Sequence, residues 1–146
     1  MKFIAIIAIA LLSLTSCTKE ASIVEAPATE NTTKVLVSFS TAEAVQNFVN
    51  GKWAWKETIV KSRSGQVQST PATSGIQKQI VLTGQKVTVF ENGTQVVSEN
   101  YTLTKTDKGW WFEGGNSAGI LYRIGDQLVI VGSSVDKADD YFQRAQ

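Results

Sequence analysis

The sequence predicts an all-β domain, a small eight-stranded antiparallel up-and-down barrel preceded by one short α-helix. Three observations predict it. Beyond Gly51 the chain breaks into short runs rich in β-branched and aromatic residues, with no helix-length periodic segment left. The turns between the runs carry hairpin chemistry: Asn92-Gly93 is a two-residue pair that takes positive φ, Asp107-Lys108-Gly109 suits a three-residue loop, and Gly125-Asp126 suits a second tight hairpin. Hairpins join antiparallel neighbours, and successive antiparallel strands without long crossovers close most simply into a barrel, which leaves no edge strand exposed. A two-sheet sandwich is the competing architecture.

Residues 1–16 read as an export signal. Lys2 supplies a positive start, and Phe3 to Leu12 form an unbroken apolar run of ten residues. A membrane-spanning helix needs about 20 apolar residues to cross a hydrocarbon core of roughly 30 Å, so the run predicts a removed signal and not a permanent span. It leads into Leu14-Thr15-Ser16-Cys17, which resembles a bacterial lipobox. That motif implies cleavage before Cys17 and a diacylglycerol thioether on its sulfur. The only cysteine is therefore expected to anchor the protein in the bilayer of the cell envelope, with the outer membrane as the expected location and a periplasmic or surface face.

Residues 17–33 read as the lipidated cysteine and a flexible tether. Thr18 to Thr33 are small and polar with Pro27 in the middle; such a stretch would reach roughly 55 Å fully extended and average about 20–25 Å as a coil. Lys19 and Glu20 partly match a surface-export signal of Gram-negative lipoproteins, though a solvated linker explains them as well.

Residues 34–146 form the folded domain. Val35, Val37 and Phe39 alternate as in a lead-in strand. Ser40, three residues before Glu43, fits a capping box, and Val45, Phe48 and Val49 follow at helical spacing until Gly51, which predicts a helix over 41–49. Strands are expected at 53–62, 76–82, 86–91, 94–104, 110–113, 119–124, 127–132 and 139–144. Ser64 to Gly75, rich in Ser, Thr, Gln and Gly and containing Pro71, is the one long connection, either a lid over the barrel mouth or an excursion without structure of its own.

Composition narrows the chemistry. Removing the signal leaves 130 residues, one domain's worth, with 13 basic against 13 acidic side chains once Lys2 has gone. A nucleic-acid partner would call for a basic excess or a clustered Lys/Arg stripe, so none is expected. The chain has no histidine. With its one thiol alkylated, Ser-His-Asp triads, Cys-His pairs, His-ligated metals and internal disulfides are excluded, and no cofactor is expected. Catalysis would rest on carboxylates alone. Asp136, Asp139 and Asp140 cluster near the last strand, while Glu57, Glu99 and Glu113 lie on separate strands. Glycoside hydrolysis needs two carboxyls roughly 5–10 Å apart; adjacent aspartates ahead of a strand read more simply as a solvated turn. The protein is expected not to be an enzyme.

Gly51-Lys52-Trp53 opening the first strand after a short helix, with Arg144 closing the last, resembles the lipocalin and calycin signature. In that family the Trp packs across the closed base of the barrel and the late Arg lies over it, donating to backbone carbonyls. The resemblance gives Gly51, Trp53 and Arg144 that structural role here, and an indole with a stacked guanidinium suits it physically. With Phe90-Glu91-Asn92-Gly93 and Tyr141-Phe142-Gln143-Arg144, residues 41–146 are similar to small lipocalin-like lipoproteins of bacterial envelopes. The chain is shorter than true lipocalins and lacks their second and third signature blocks. The resemblance implies a membrane-anchored module that binds a small apolar or amphipathic ligand without catalysis. The alternative is a protein–protein interaction module of the envelope, an inhibitor or assembly partner, with a filled barrel.

With Trp53 inward, period-two alternation would place Trp55, Glu57 and Ile59 inside and Lys52, Ala54, Lys56 and Thr58 outside. Val97, Tyr101 and Leu103 would point inward from the fourth strand, and Ile120, Tyr122 and Ile124 from the sixth. Within this lining Trp55, Glu57, Tyr101 and Tyr122 are the candidate ligand pocket, a few polar groups in an apolar cavity. The other outcome is a filled barrel whose tyrosine hydroxyls reach the rim. Trp110-Trp111-Phe112 cannot all face one way, so one set is expected outside, beneath the helix; left exposed, it would mark a sugar-stacking or protein-binding surface.

Overall fold

The computed structural model describes residues 35–132 and 138–146. The signal segment, Cys17, the tether and Asp136 lie outside the described residues. Among the described residues no helix is long and apolar enough to cross a membrane.

The expected helix is present as α1, Ala42–Val49. Its cap is Thr41 and not Ser40: Thr41 takes extended backbone (φ −131°, ψ 158°), and its hydroxyl accepts from the Ala44 N–H at 3.1 Å. One orphan donor of the first turn is thereby satisfied. Val45 and Val49 are fully buried, so the helix lays its apolar stripe on the core.

Ten strands follow. They are β1 (Gly51–Ser62), β2 (Gly65–Ser69), β3 (Lys78–Thr83), β4 (Lys86–Glu91), β5 (Thr94–Asn100), β6 (Thr102–Thr106), β7 (Gly109–Gly114), β8 (Ser117–Ile124), β9 (Gln127–Val131) and β10 (Ala138–Arg144), with one helical turn, α2 (Pro71–Ser74), between β2 and β3. All pairs are antiparallel, in the order β5-β4-β3-β1-β10-β9-β8-β7-β6, and β2 pairs with the far end of β1. The Ser64–Gly75 connection is thus not structureless. Its first half extends β1 into an exposed two-stranded arm, and its second half is α2, boxed by reciprocal bonds between Thr70 and Thr73. Asn92 and Gly93 both take positive φ (50° and 80°), as a type I′ hairpin requires. The Asp107-Lys108 turn is shorter than expected, because Gly109 already pairs with Thr106.

The first and last strands of the meander do pair, β1 with β10. A closed eight-stranded barrel nevertheless does not form: the sheet is curled but open, with β5 and β6 as its two edges. The cause lies at Tyr101. The expected strand at 94–104 breaks there: the Tyr101 N–H to Gln85 O (2.9 Å) is the last bond on the β4 side, its hydroxyl turns back to Gly84 O (2.6 Å), and its ring packs on Phe112 at 5.2 Å. β5 therefore continues the β4 side and β6 the β7 side, with no ladder between them. Side chains bridge the seam at one end instead. Glu99 accepts from the Gly115 N–H at 2.7 Å, and a Cβ on Gly114 would stand 2.7 Å from Tyr101 Cβ, so the approach there requires glycine.

The concave face is filled. Trp53, Phe112, Phe142, Leu82, Leu121, Leu128 and Ile130 are each at most 1% exposed and form one cluster with Val45, Val49, Ile80, Val87 and Val89. Val97 and Leu103 pack against it and Tyr101 belongs to it, as the alternation predicts. The prediction fails on β1 beyond Trp55. Trp55 pairs with Phe142 but Glu57 pairs with Tyr141, so Lys56 is an extra residue, a β-bulge. Beyond it the faces exchange: Thr58 turns inward with Asp140, and Glu57 and Ile59 turn outward with Tyr141 and Asp139. On β8 the inward residue is Leu121, which places Ile120, Tyr122 and Ile124 on the other face. Phe112 and Trp110 face the core and Trp111 faces away; α1 packs into the core cluster, so the outer aromatic does not lie beneath the helix as expected.

Candidate functional site

The best-defined constellation lies where α1 meets β1 and β10. Trp53 is fully buried and gives its indole N–H to Val49 O at 2.6 Å. The Arg144 guanidinium lies 4.3 Å over the Trp53 ring and donates to Phe48 O (2.6 Å) and Asn50 O (3.0 Å). These are carbonyls at the C-terminal end of α1, where no intrahelical partner exists and a cation is favoured. Gly51 completes the arrangement, since a Cβ there would stand 2.7 Å from Arg144 Nη1. The three residues singled out by the sequence are thus brought together, tying α1 to β1 and β10.

The four candidate pocket residues are not brought together. Trp55 (8% exposed) closes an inward polar chain: its N–H donates to Thr58 Oγ1 at 2.9 Å, Thr58 donates to Asp140 Oδ1 at 2.5 Å, and Ser117 donates to Asp140 Oδ2 at 3.2 Å. Tyr101 fills the seam, and burial pushes its hydroxyl pKa up. Glu57 stands on the other face, accepting from the Gln68 side chain. Tyr122 lies on that face too, in a cleft of about 350 Å³ with Trp111, Ile120, Val131 and Lys108.

Of the candidate carboxylates, Glu99 and Glu113 share a small cleft of about 260 Å³, whereas the two aspartates are separated. Asp139 and Asp140 sit within β10, facing opposite ways, and not in a solvated turn. Asp139, 5% exposed, bonds Lys61 Nζ at 2.9 Å and accepts from the Gly132 N–H at 3.2 Å. That bond to Asp139 raises the Lys61 pKa. Tyr141 beside it is raised as well, first by burial and then by the Asp139 charge. Among the described residues no group of three His, Cys, Asp or Glu side chains could hold a metal ion.

A site that the sequence did not single out lies on the convex face of β1, β3 and β4. The register pairs Lys52 with Val81, Ala54 with Gln79 and Gln79 with Phe90, so these residues share one face while Trp53, Ile80 and Val89 take the other. Together with Lys56, Lys78, Gln77, Trp55 and Pro71 of α2, they line a cleft of about 680 Å³. The only charged groups in the lining are three lysines, and among the described residues none of the three holds an ion pair. The signal was present as Lys52, Ala54 and Lys56 at spacing two, but such a pattern also describes any solvated strand face. Gln79, Val81 and Phe90 lie more than twenty residues further along the chain and join it only through the ladder.

Comparison with protein-family models, with curated proteins and with solved structures finds no match.

Proposed function

We propose that this protein is a membrane-anchored envelope lipoprotein, held through Cys17, whose domain binds a small amphipathic molecule without catalysing a reaction. The observation that carries the binding half is the cleft on β1, β3 and β4. Its volume of about 680 Å³ falls within the roughly 300–1,000 Å³ range of small-molecule sites, and its apolar floor with a few polar groups has the usual character of one. The packed core on the concave face supports reading the ligand seat as this outer cleft and not as an interior one. The stack of Arg144 on Trp53, with donation to backbone carbonyls, supports the likeness to lipocalin-like lipoproteins. The separated, internally bonded aspartates support a non-enzymatic role.

Native mass spectrometry of the protein purified from its own cells tests the reading. A co-purifying small mass that is lost in Phe90→Ala and kept in Tyr122→Ala supports it. An empty protein, or a mass retained in Phe90→Ala, overturns it. The second reading, an interaction module for another envelope protein, draws on the cleft that holds Trp111, Ile120 and Tyr122 outside the core. A stable protein partner released by Trp111→Ala would favour it.

A further inference from the structure

We infer that the cleft on β1, β3 and β4 takes an amphiphile with an anionic headgroup, with Lys52, Lys56 and Lys78 as counter-charges and Ala54, Val81 and Phe90 as the apolar seat. The inference rests on the reading of this cleft as the ligand site and adds the ligand's charge. The mature chain balances 13 basic against 13 acidic side chains, yet this lining holds three cations and no acid. The cleft beside Trp111 carries both Asp107 and Lys108, and a smaller one of about 260 Å³ carries two acids, Glu99 and Glu113, and no lysine or arginine, so of these three clefts the one on β1, β3 and β4 alone is cationic.

The chemistry of the lining matches the two ends of an amphiphile. Lysine stems cover apolar surface while their ammonium groups reach outward, so the three cations can ring an apolar floor without being desolvated in the empty state. Lys52 and Lys56 are four residues apart on β1, roughly 13 Å at strand rise, and long flexible stems let both converge on one head. Each is a point charge with rotatable donors, which suits a phosphate or carboxylate without fixing its orientation. The Gln77 and Gln79 side-chain amides lie in the same lining and can serve remaining oxygens. A cationic head would meet three like charges, and a neutral one would leave them unused.

The test uses the mature acylated chain in nanodiscs of zwitterionic phosphatidylcholine, with displacement of a fluorescent fatty acid by dodecyl phosphate, laurate, dodecanol or dodecylamine. The two anions should displace the probe well and dodecanol weakly. The Lys52→Gln/Lys56→Gln variant should weaken anion binding by about tenfold or more, which corresponds to at least about 1.4 kcal/mol. The Lys86→Gln/Arg123→Gln control, with the same loss of charge outside the cleft, should change it less than about twofold. Equal losses in both variants, or dodecanol binding as tightly as the anions, overturn the anionic headgroup. In that outcome the cleft itself stands if Val81→Asp still abolishes dodecanol binding. If no amphiphile binds while the fold is intact by circular dichroism, the binding-module reading falls with it. Doping the disc with phosphatidylglycerol separates the two sources of such a headgroup: probe displacement assigns it to a bilayer lipid, and its absence to a free amphiphile.

Discussion

Replacing Arg144 by Met tests the physical account of the α1–β1–β10 junction. The guanidinium makes two charge-assisted bonds to carbonyls at the end of α1 and stacks on the Trp53 ring at 4.3 Å, with the Phe48 ring further off at 5.8 Å. Arg144 is exposed, so each bond is worth the low end of the usual range, about 1 kcal/mol, and the stack adds about 0.5–1 kcal/mol. The expected loss is about 2–3 kcal/mol. In a domain of this size that lowers Tm by roughly 8–15 °C. Lys in place of Arg should recover less than half of it, because a point ammonium cannot hold two carbonyls and lie flat on an indole. Urea unfolding followed by tryptophan fluorescence reads the effect as a fall in midpoint at constant slope. A double-mutant cycle with Trp53→Phe isolates the stack, with a coupling of at least about 0.5 kcal/mol expected. A Met variant within about 0.5 kcal/mol of the parent, or strict additivity in the cycle, would refute the reasoning.

A Cβ on Gly119 would meet Val131 O at 2.3 Å, and backbone cannot step aside as a side-chain tip can; Gly119→Ala should cost about 2–4 kcal/mol in thermal unfolding, and a neutral result would show that β8 and β9 are looser than their register. Alkaline pH should destabilise the fold. Tyr101 and Tyr141 are raised by burial and Lys61 by its bond to Asp139, so the native state holds more protons than the unfolded chain above about pH 10. The stability they contribute is fully present below that and is lost as pH rises through the raised values; a urea midpoint that holds or rises between about pH 9 and 11 would contradict this. The buried Trp110 Nε1 has no acceptor among the described residues, so Trp110→Phe removes an unsatisfied donor and should shift stability by less than about 1 kcal/mol, unlike other aromatic truncations. Cys17→Ser should abolish lipid attachment, leaving an uncleaved or soluble form; normal processing and membrane retention of that variant would refute the anchor. Each buried methylene contributes about 0.8 kcal/mol and one acyl chain is marginal, so stable retention relies on more than one.

The hairpin signals were the legible part of the fold. Asn92-Gly93 adopts the backbone that its residue types demand, and the runs at 86–91 and 127–132 match β4 and β9 almost end to end. The break at Tyr101 was not legible, because nothing local distinguishes it: Val97, Tyr101 and Leu103 keep inward alternation throughout. What interrupts the strand is a long-range pair of bonds to Gly84 and Gln85. β2 was hidden for the opposite reason. Its residues are exposed on nearly every side and carry one apolar residue, Val67, so no face was there to produce a period.

The bulge at Lys56 shows how one unpaired residue decides where a site can lie. Alternation read through it puts Trp55, Glu57 and Ile59 in one interior and suggests a pocket with a buried acid. With Lys56 extra, Glu57 is released to the outer face, where Gln68 meets it, and Thr58 enters in its place to tie Trp55 to Asp140. The interior then needs no ligand to satisfy its polar groups at that end. The outer cleft of the proposed binding function is lined on the same strand by Lys52 and Ala54, upstream of the bulge, and by the bulged Lys56. A bulge carries no signature of its own in a sequence of this kind, since both Lys56 and its neighbours read as ordinary strand residues. The inference of an outer ligand seat therefore depends on register, and register is set here by the pairing of β1 with β10, whose partners lie 78 to 91 residues apart.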